Sequence, residues 1–233
     1  LQGLELVGLD LRLERGSQGP LEAGGFHMDP DRNRVYPLLA RFERFRITDS
    51  TLRWTDHTTP EPVRVVLRQW RVDIRGGAEG HRVDMHGHLG RGEVGFRGRI
   101  RDFARGPRHW RLEMQALGSD LSLETLRPYL GSEGPERLQG RLAFWAEVGG
   151  GVGPGVAVEG RMHLTEGGVA WPERVRAPLS GLEMGSNFRY RWESGSQRLA
   201  LRELELAHET LTVAGQGDLE VGAGGGAPRG DLR

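Results

Sequence analysis

Two histidines and a carboxylate lie close together in the sequence and have the residue types of a metal site. His86 and His88 are two residues apart in HRVDMHGHLG, and Glu93 follows shortly after. Residues two apart on a β-strand point to the same side, so the two imidazoles would lie next to each other, as in metal-binding barrels. Met85, between the apolar Val83 and the histidines, belongs to the opposite, apolar side. We therefore predict an exposed polar pair and no metal site.

Asp56 next to His57 is a second pair that could do chemistry. A hydrolase would also need a serine in a nucleophile elbow or a second carboxylate for acid and base catalysis, and the sequence has neither pattern. Aspartates often hydrogen-bond the backbone of their own turn. The glycine-rich stretches GGAEG and GGGVGPG lack the Lys-Ser/Thr ending of a phosphate loop and read as turns. We predict no enzymatic activity and no cofactor.

The overall composition excludes several classes of partner and site. Basic and acidic residues balance at 32 each, so no net charge attracts the chain to nucleic acid, and we expect no nucleic-acid partner. Cysteine is absent, which removes disulfides, thiolate metal sites and thiol nucleophiles. No apolar run approaches the roughly 18 residues of a membrane-spanning helix.

Apolar and polar residues alternate along most of the chain, which is typical of strands with one buried face. HRVDMHGHL and EVGFRGRI show the pattern with GRG between them as a hairpin turn. About a dozen such strands, most joined by short turns, predict an antiparallel meander. The parity of the apolar residues, that is whether they fall at odd or even positions, changes at two places. We therefore predict a bulge at Val7 and Gly8 and another near Arg68 and Gln69.

Helices are almost missing from the pattern. Ser119–Leu130 is the one predicted helix, with Ser119 or Asp120 as its cap and leucines along one side. Pro37–Phe45 is a weaker second candidate. So little helix cannot cover a sheet of a dozen strands, so the apolar face must meet a second sheet, close into a barrel, or curl around a ligand.

An eight-residue pattern occurs twice, as ITDSTLRW in Ile47–Trp54 and LTEGGVAW in Leu164–Trp171. Asp49 with Ser50, and Glu166 with Gly167, have turn chemistry, so we predict a β-hairpin at each copy. HLGRGEVGF, with Phe96 in the aromatic place, is a looser third copy. Repeated hairpins favour a sheet that grows by addition of similar units.

The chain resembles the AsmA-like proteins of the Gram-negative envelope, and within them the YhdP branch. Phe45–Gly87 is similar to that branch's strand, Asp turn, Trp-Asp strand end, variable loop, long strand and glycine loop, with Asp56 and His81 at the family's Asp and His. Three further stretches are similar to later parts of the family's pattern: His109–Leu130, Arg137–Val148 and Pro178–Trp192.

The resemblance implies a segment of a long periplasmic protein whose parent is anchored in the inner membrane by a helix absent here. In that family the strands form a U-shaped groove that carries phospholipids to the outer membrane, without enzymatic activity or cofactor. We accordingly expect an all-β antiparallel meander of about a dozen strands curled into a U-shaped groove, with one short helix near 119–130. Residues 1–221 would form one elongated segment and 222–233 a flexible Gly-rich tail. The expected partners are phospholipid acyl chains and flanking segments of the parent chain.

The apolar parity predicts which side chains would contact the acyl chains. They are Leu52, Trp54, Val65, Leu67, Val72, Ile74, Met85, Phe96, Leu112, Phe144, Val158, Met162, Trp171, Tyr190 and Leu201. The alternative is a β-sandwich that binds carbohydrate or serves as a structural interaction module, with tryptophans stacked on sugars. Five of the six tryptophans are in phase with the apolar face, and Trp145 points the other way, which favours the groove.

Overall fold

The computed structural model describes most of the chain. The described residues are 2–16, 21–23, 26–27, 35–59, 62–77, 79–130, 135–152, 155–172, 177–193, 196–208, 211–222 and 229–232.

The described chain forms a single open β-sheet, which confirms the predicted all-β class. The strands follow one another along the sheet from β5 to β15, and neighbours in this part are antiparallel. The strands are β1 (Gly3–Val7), β2 (Asp10–Arg15), β3 (Leu21–Ala23), β4 (Phe26–His27), β5 (Arg44–Asp56), β6 (Val63–Arg75), β7 (His81–Leu89), β8 (Gly92–Arg101), β9 (Arg111–Ser122), β10 (Arg137–Gly151), β11 (Gly155–Ala170), β12 (Leu179–Glu193), β13 (Ser196–His208), β14 (Leu211–Gly222) and β15 (Arg229–Leu232).

The N-terminal strands depart from the predicted meander because β1 and β2 both run parallel to β5. They form one strand broken at Gly8, whose φ is 68°. Leu4 and Leu6 before the break and Leu11 after it lie beside inward residues of β5, so the predicted irregularity at Val7 and Gly8 is present as a break that keeps one apolar face. A parallel pair needs a long crossover. Here the crossover runs through β3, β4 and the helix α1 (Val35–Leu39).

The repeated eight-residue pattern is not a hairpin, and that prediction is wrong. Ile47–Trp54 lies inside the single strand β5, and the second copy lies in β11 up to Ala170. Asp49 and Glu166 instead have left-handed φ values of 49° and 53°, and the pairing register shifts at each of them. Each copy therefore forms a β-bulge, which turns one residue out of the ladder and returns the next apolar residue to the same face.

Bulges recur across the sheet. Gln69 in β6 has φ 50°, as predicted from the parity shift, and Asp120 in β9 has φ 54°. Gly181 in β12 has φ 69°, and the register of β13 shifts after Leu201. The third copy of the pattern differs, since Leu89 pairs with Gly92 across a true hairpin turn.

Certain glycines allow neighbouring strands to approach each other closely. A Cβ placed on Gly160 would come within 2.7 Å of the Ala146 Cα on β10, and one on Gly98 within 2.6 Å of the Met114 Cα on β9. Real side chains do not approach a neighbouring strand so closely, so these positions need glycine. Bulges and glycines of this kind are what curve a sheet.

The predicted helix at 119–130 is shorter than expected and of a different type. Residues 119–122 continue β9, and Leu123–Leu130 form a 3₁₀ helix. The bulge at Asp120 allows the strand to continue where helix capping was expected. The second candidate, Pro37–Phe45, is also shifted, because α1 ends at Leu39 and β5 begins at Arg44.

The predicted C-terminal tail, residues 222–233, contains a strand. β15 pairs with β14 from Glu220 to Gly217. Arg229–Leu232 therefore belong to the sheet, while residues 223–228 lie outside the described part of the chain.

Candidate functional site

The apolar side chains predicted from parity lie on one continuous face of the sheet, here called the inner face. Cross-strand partners point to the same side, and the register connects Ile74, Val83, Gly98, Met114 and Val148 in one row across β6–β10. Of the predicted set, the residues that the register joins on this face are Leu52, Trp54, Val65, Leu67, Val72, Ile74, Met85, Phe96, Leu112, Phe144, Val158, Met162 and Tyr190.

The two remaining predicted residues lie at less defined places. Trp171 follows the last residue of β11 and is partly buried. Leu201 pairs with Phe188 in the backbone register, but its side chain lies outside the described part of the structure.

The inner face is covered by the chain itself over β5–β9. Val83, Ile100, Phe103 and Met114 form a buried cluster, and α1 packs on it through Tyr36 and neighbouring residues. A second cluster of Phe45, Ile47 and Val72 packs against Leu39 of α1 and against Leu4 and Leu6 of β1, the strand paired beside β5. Val72 is only 5% exposed, so this predicted groove residue is part of a closed core.

The inner face continues over β10–β12 outside these two clusters, and this stretch is called its open part. Phe144, Val158, Met162 and Tyr190 are each partly exposed, and neither buried cluster contains any of them. The register joins Phe144 to Met162, and Val158 to Tyr190. An apolar surface therefore continues beyond the two clusters and is partly accessible to solvent.

The opposite side, here called the outer face, carries charged residues in cross-strand pairs. Arg97 meets Asp84 at 3.2 Å, and Arg189 meets Glu159 at 2.9 Å. Asp73 accepts hydrogen bonds from Arg44 and Arg75, and these guanidinium groups, Arg44 first, hold the pKa of Asp73 well below its usual range. The two faces of the sheet thus differ sharply in polarity.

An ion-pair bridge joins three strands at the line of bulges. Arg141 donates to Glu166 at 2.9 Å and also binds Asp120, and both acids are left-handed bulge residues. These carboxylates, Asp120 first, raise the pKa of Arg141. Three of the bulges are marked in the sequence by a hydroxyl residue followed by an acid. These pairs are Thr48-Asp49, Ser119-Asp120 and Thr165-Glu166.

The histidine pair lies on the outer face, as the parity predicted. Glu93 lies 3.8 Å from His86 Nε2 and 3.8 Å from His88 Nδ1, and all three side chains are partly or largely exposed. Among the described residues no group of three His, Cys, Asp or Glu has the geometry to hold a metal ion.

Asp56 closes its own turn, as predicted. Its Oδ1 accepts hydrogen bonds from the Thr58 amide at 2.9 Å and hydroxyl at 2.7 Å, and Arg15 lies 3.6 Å from Oδ2. The carboxylate is 2% exposed, so it is bound within the fold rather than presented to a substrate.

His81, the other residue singled out by the resemblance, supports the covered end of the inner face. Its ring lies 4.7 Å from the Phe103 ring. Burial lowers the pKa of His81.

The tryptophans with described packing do not form an exposed row. Trp110 stacks on Phe103 with ring centroids 5.4 Å apart, meets the Tyr36 ring edge-on, and donates from Nε1 to the Phe103 carbonyl. Trp70 packs against the Val72 cluster. Trp145 is 38% exposed and lies on the outer face, paired with Leu117.

Comparison of the chain with protein families, with curated proteins and with solved structures gave no match. In the described part of the chain, no helix combines the length and apolarity needed to cross a bilayer. The AsmA-like assignment therefore stays a prediction from the sequence.

Proposed function

We propose that the chain is a segment of a lipid-transport protein, and that the open part of its inner face binds phospholipid acyl chains. The observation that carries this proposal is the apolar face itself, which continues over β10–β12 beyond the two buried clusters. Apolar surface left in water costs about 25 cal/mol per Å². An apolar ligand would remove that cost.

The two-sided polarity supports an apolar occupant on the inner face. Ten neighbouring strands, β5–β14, make a face roughly 43 Å across at about 4.8 Å between strands. The paired charges of the outer face keep the other side in water. A curled sheet of this kind forms a trough with an apolar inside and a polar outside, and acyl chains could slide along the inside.

The resemblance to the AsmA-like family adds the setting of this proposal. In that setting the parent protein is held in the inner membrane by segments absent here, this segment lies in the periplasm, and phospholipid passes along the groove toward the outer membrane. Flanking segments of the parent chain would continue the groove.

Photo-crosslinking tests the proposal at two adjacent positions. Met162 pairs with Phe144 on the inner face, whereas His163 next to it pairs with Ala143 on the outer face and is exposed. Benzoylphenylalanine at position 162, irradiated in a Gram-negative host, should give a phospholipid adduct detected by mass spectrometry. The same probe at position 163 is the matched control and should give little adduct. Equal labelling at both positions, or none at 162, contradicts the proposal.

A further inference from the structure

One tryptophan lies apart from the inner face and is exposed on the outer face of the sheet. Trp145 in β10 is 38% exposed, and its partners in the backbone register are Leu117 on β9 and Arg161 on β11. Trp110 stacks on Phe103, whereas the Trp145 ring makes no contact with another aromatic ring in the described part of the chain. The core and the inner face therefore make no use of Trp145.

Trp145 forms one wall of an open cavity of about 600 Å³ on the outer face. The backbone register arranges the outer-face side chains of this cavity in two adjacent rows across β10, β11 and β12, and Gly160 and Phe188 lie between the rows. The first row is Trp145, Arg161 and Asn187, and the second row is Glu147, Glu159 and Arg189. Because neighbouring strands are about 4.8 Å apart, each row spans roughly 10 Å. The cavity thus combines an aromatic ring with a set of hydrogen-bonding groups.

The charges around this cavity balance, but they are not all paired with one another. Glu147 and Glu159 lie directly opposite each other in the register, although like charges in that arrangement destabilise a sheet. Arg189 binds Glu159 at 2.9 Å, whereas Glu147 and Arg161 form no ion pair within the described part of the chain. Both of these side chains are exposed. The cavity therefore has no net charge and offers both hydrogen-bond donors and acceptors to a ligand.

We propose that this cavity binds a neutral oligosaccharide and that one of its sugar rings stacks on Trp145. A pyranose ring with equatorial hydroxyls has flat C–H faces, which pack against the face of a large aromatic ring. Each hydroxyl both donates and accepts hydrogen bonds, so it can pair with carboxylate, amide and guanidinium groups alike. A charged ligand would instead bring a like charge next to either the two acids or the two arginines. The site lies on the opposite side of the sheet from the acyl-chain surface, so either proposal can fail without the other.

Calorimetric titration of the full chain with cellohexaose and with chitohexaose tests the proposal. Both probes are uncharged chains of sugar rings that carry equatorial substituents. We expect at least one of them to bind with a dissociation constant below about 1 mM. Failure of both probes to bind overturns the proposal.

Two substitutions of Trp145 test whether its ring is the stacking surface. Trp145→Ala should weaken binding by about tenfold, whereas Trp145→Phe, which keeps a smaller ring, should weaken it by about threefold or less. Glu147→Ala should weaken binding by about fivefold, as for the loss of one hydrogen bond. Because both side chains are exposed, we expect these variants to keep the circular dichroism spectrum of the wild type. Equal affinities of the wild type and Trp145→Ala overturn the proposal.

Leu117→Ala is the matched control. Leu117 is the exposed apolar neighbour of Trp145, with 43% of its surface accessible, but it does not line the cavity. Saccharide binding should therefore stay within about twofold of the wild type. An equal loss of affinity in Leu117→Ala and Trp145→Ala overturns the saccharide cavity in favour of a broader apolar surface that docks a protein.

Discussion

Asp49 in β5 and Glu166 in β11 occupy the same backbone conformation at the same place in a repeated sequence pattern. Both are left-handed, with φ 49° and 53°, and each follows a threonine and precedes a buried small residue. At the first copy, the Ser50 Oγ accepts a hydrogen bond from the Leu9 amide at 3.0 Å. The bulge in β5 thus lies next to the break between β1 and β2, and a side chain joins the two irregularities.

A β-branched residue at the bulge should therefore be costly. We expect Asp49→Val to lower the free energy of unfolding by about 1–2 kcal/mol, because valine tolerates positive φ poorly. Asp49→Gly should stay within roughly 1 kcal/mol of the wild type, because glycine adopts this φ without strain. Urea denaturation checks both. Arg53→Val, in the same strand and exposed, is the control, and an equal effect of valine at positions 49 and 53 would contradict the bulge.

The sequence contained the signal for these bulges, although the residue chemistry pointed elsewhere. Asp-Ser and Glu-Gly are typical turn pairs, which is why a hairpin was predicted. The inward residues of β5 nevertheless change from odd to even numbers between Ile47 and Leu52. One extra residue in a continuous strand, which is a bulge, is enough to cause this change. The same parity argument had placed the break at Gly8 and the bulge at Gln69 correctly.

Parity also predicted the inner face, but it could not predict which part of that face is covered. The cover comes from α1, which reaches the inner face by long-range packing rather than by local pattern, while the parallel strand β1 extends the sheet beside β5. Val72 has the same alternation as Val158, yet it is buried in a closed cluster while Val158 stays partly exposed. Local periodicity gives the side of a strand, and only the tertiary fold decides what lies over it.

The close approach of β10 to β11 should make Gly160 intolerant of any side chain. A Cβ there would lie 2.7 Å from the Ala146 Cα and 2.8 Å from its Cβ. We expect Gly160→Ala to cost about 1–3 kcal/mol, as overpacking does. Gly185→Ala is the matched control on the neighbouring strand β12, where a Cβ would meet nothing within 4 Å. Thermal denaturation of both variants checks this. Equal melting temperatures of the two variants would contradict the expected clash at position 160.

The guanidinium groups around Asp73 make the stability of the sheet depend on acid. The pKa of this carboxyl is lower in the folded chain than in the unfolded one, mainly because of Arg44. The stabilisation is therefore complete above the unfolded pKa near 3.9 and is lost as the pH falls toward the lower folded value. We expect Asp73→Asn to flatten the fall in stability below about pH 4. A variant with the same acid dependence as the wild type would contradict this.

His81 gives a second pH dependence, with its window nearer neutrality. Burial lowers the pKa of its ring in the folded chain, so the unfolded chain binds the proton more readily between that lowered value and about 6.5. Stability is then greatest above about pH 6.5 and falls as the pH drops through the window between the two values. Charged groups near the ring, which line the same cavity, are Glu79, Arg101, Asp102 and Arg105.

His81→Phe tests this because phenylalanine keeps the ring contact with Phe103 and cannot bind a proton. We expect the variant to show a shallower fall in stability between pH 7 and 5, because phenylalanine takes up no proton. The exposed His163→Phe serves as the control and should keep the wild-type slope. Denaturant midpoints measured across this pH range check the prediction. If stability changes with pH equally in the wild type and in His81→Phe, the pH dependence comes from groups other than His81.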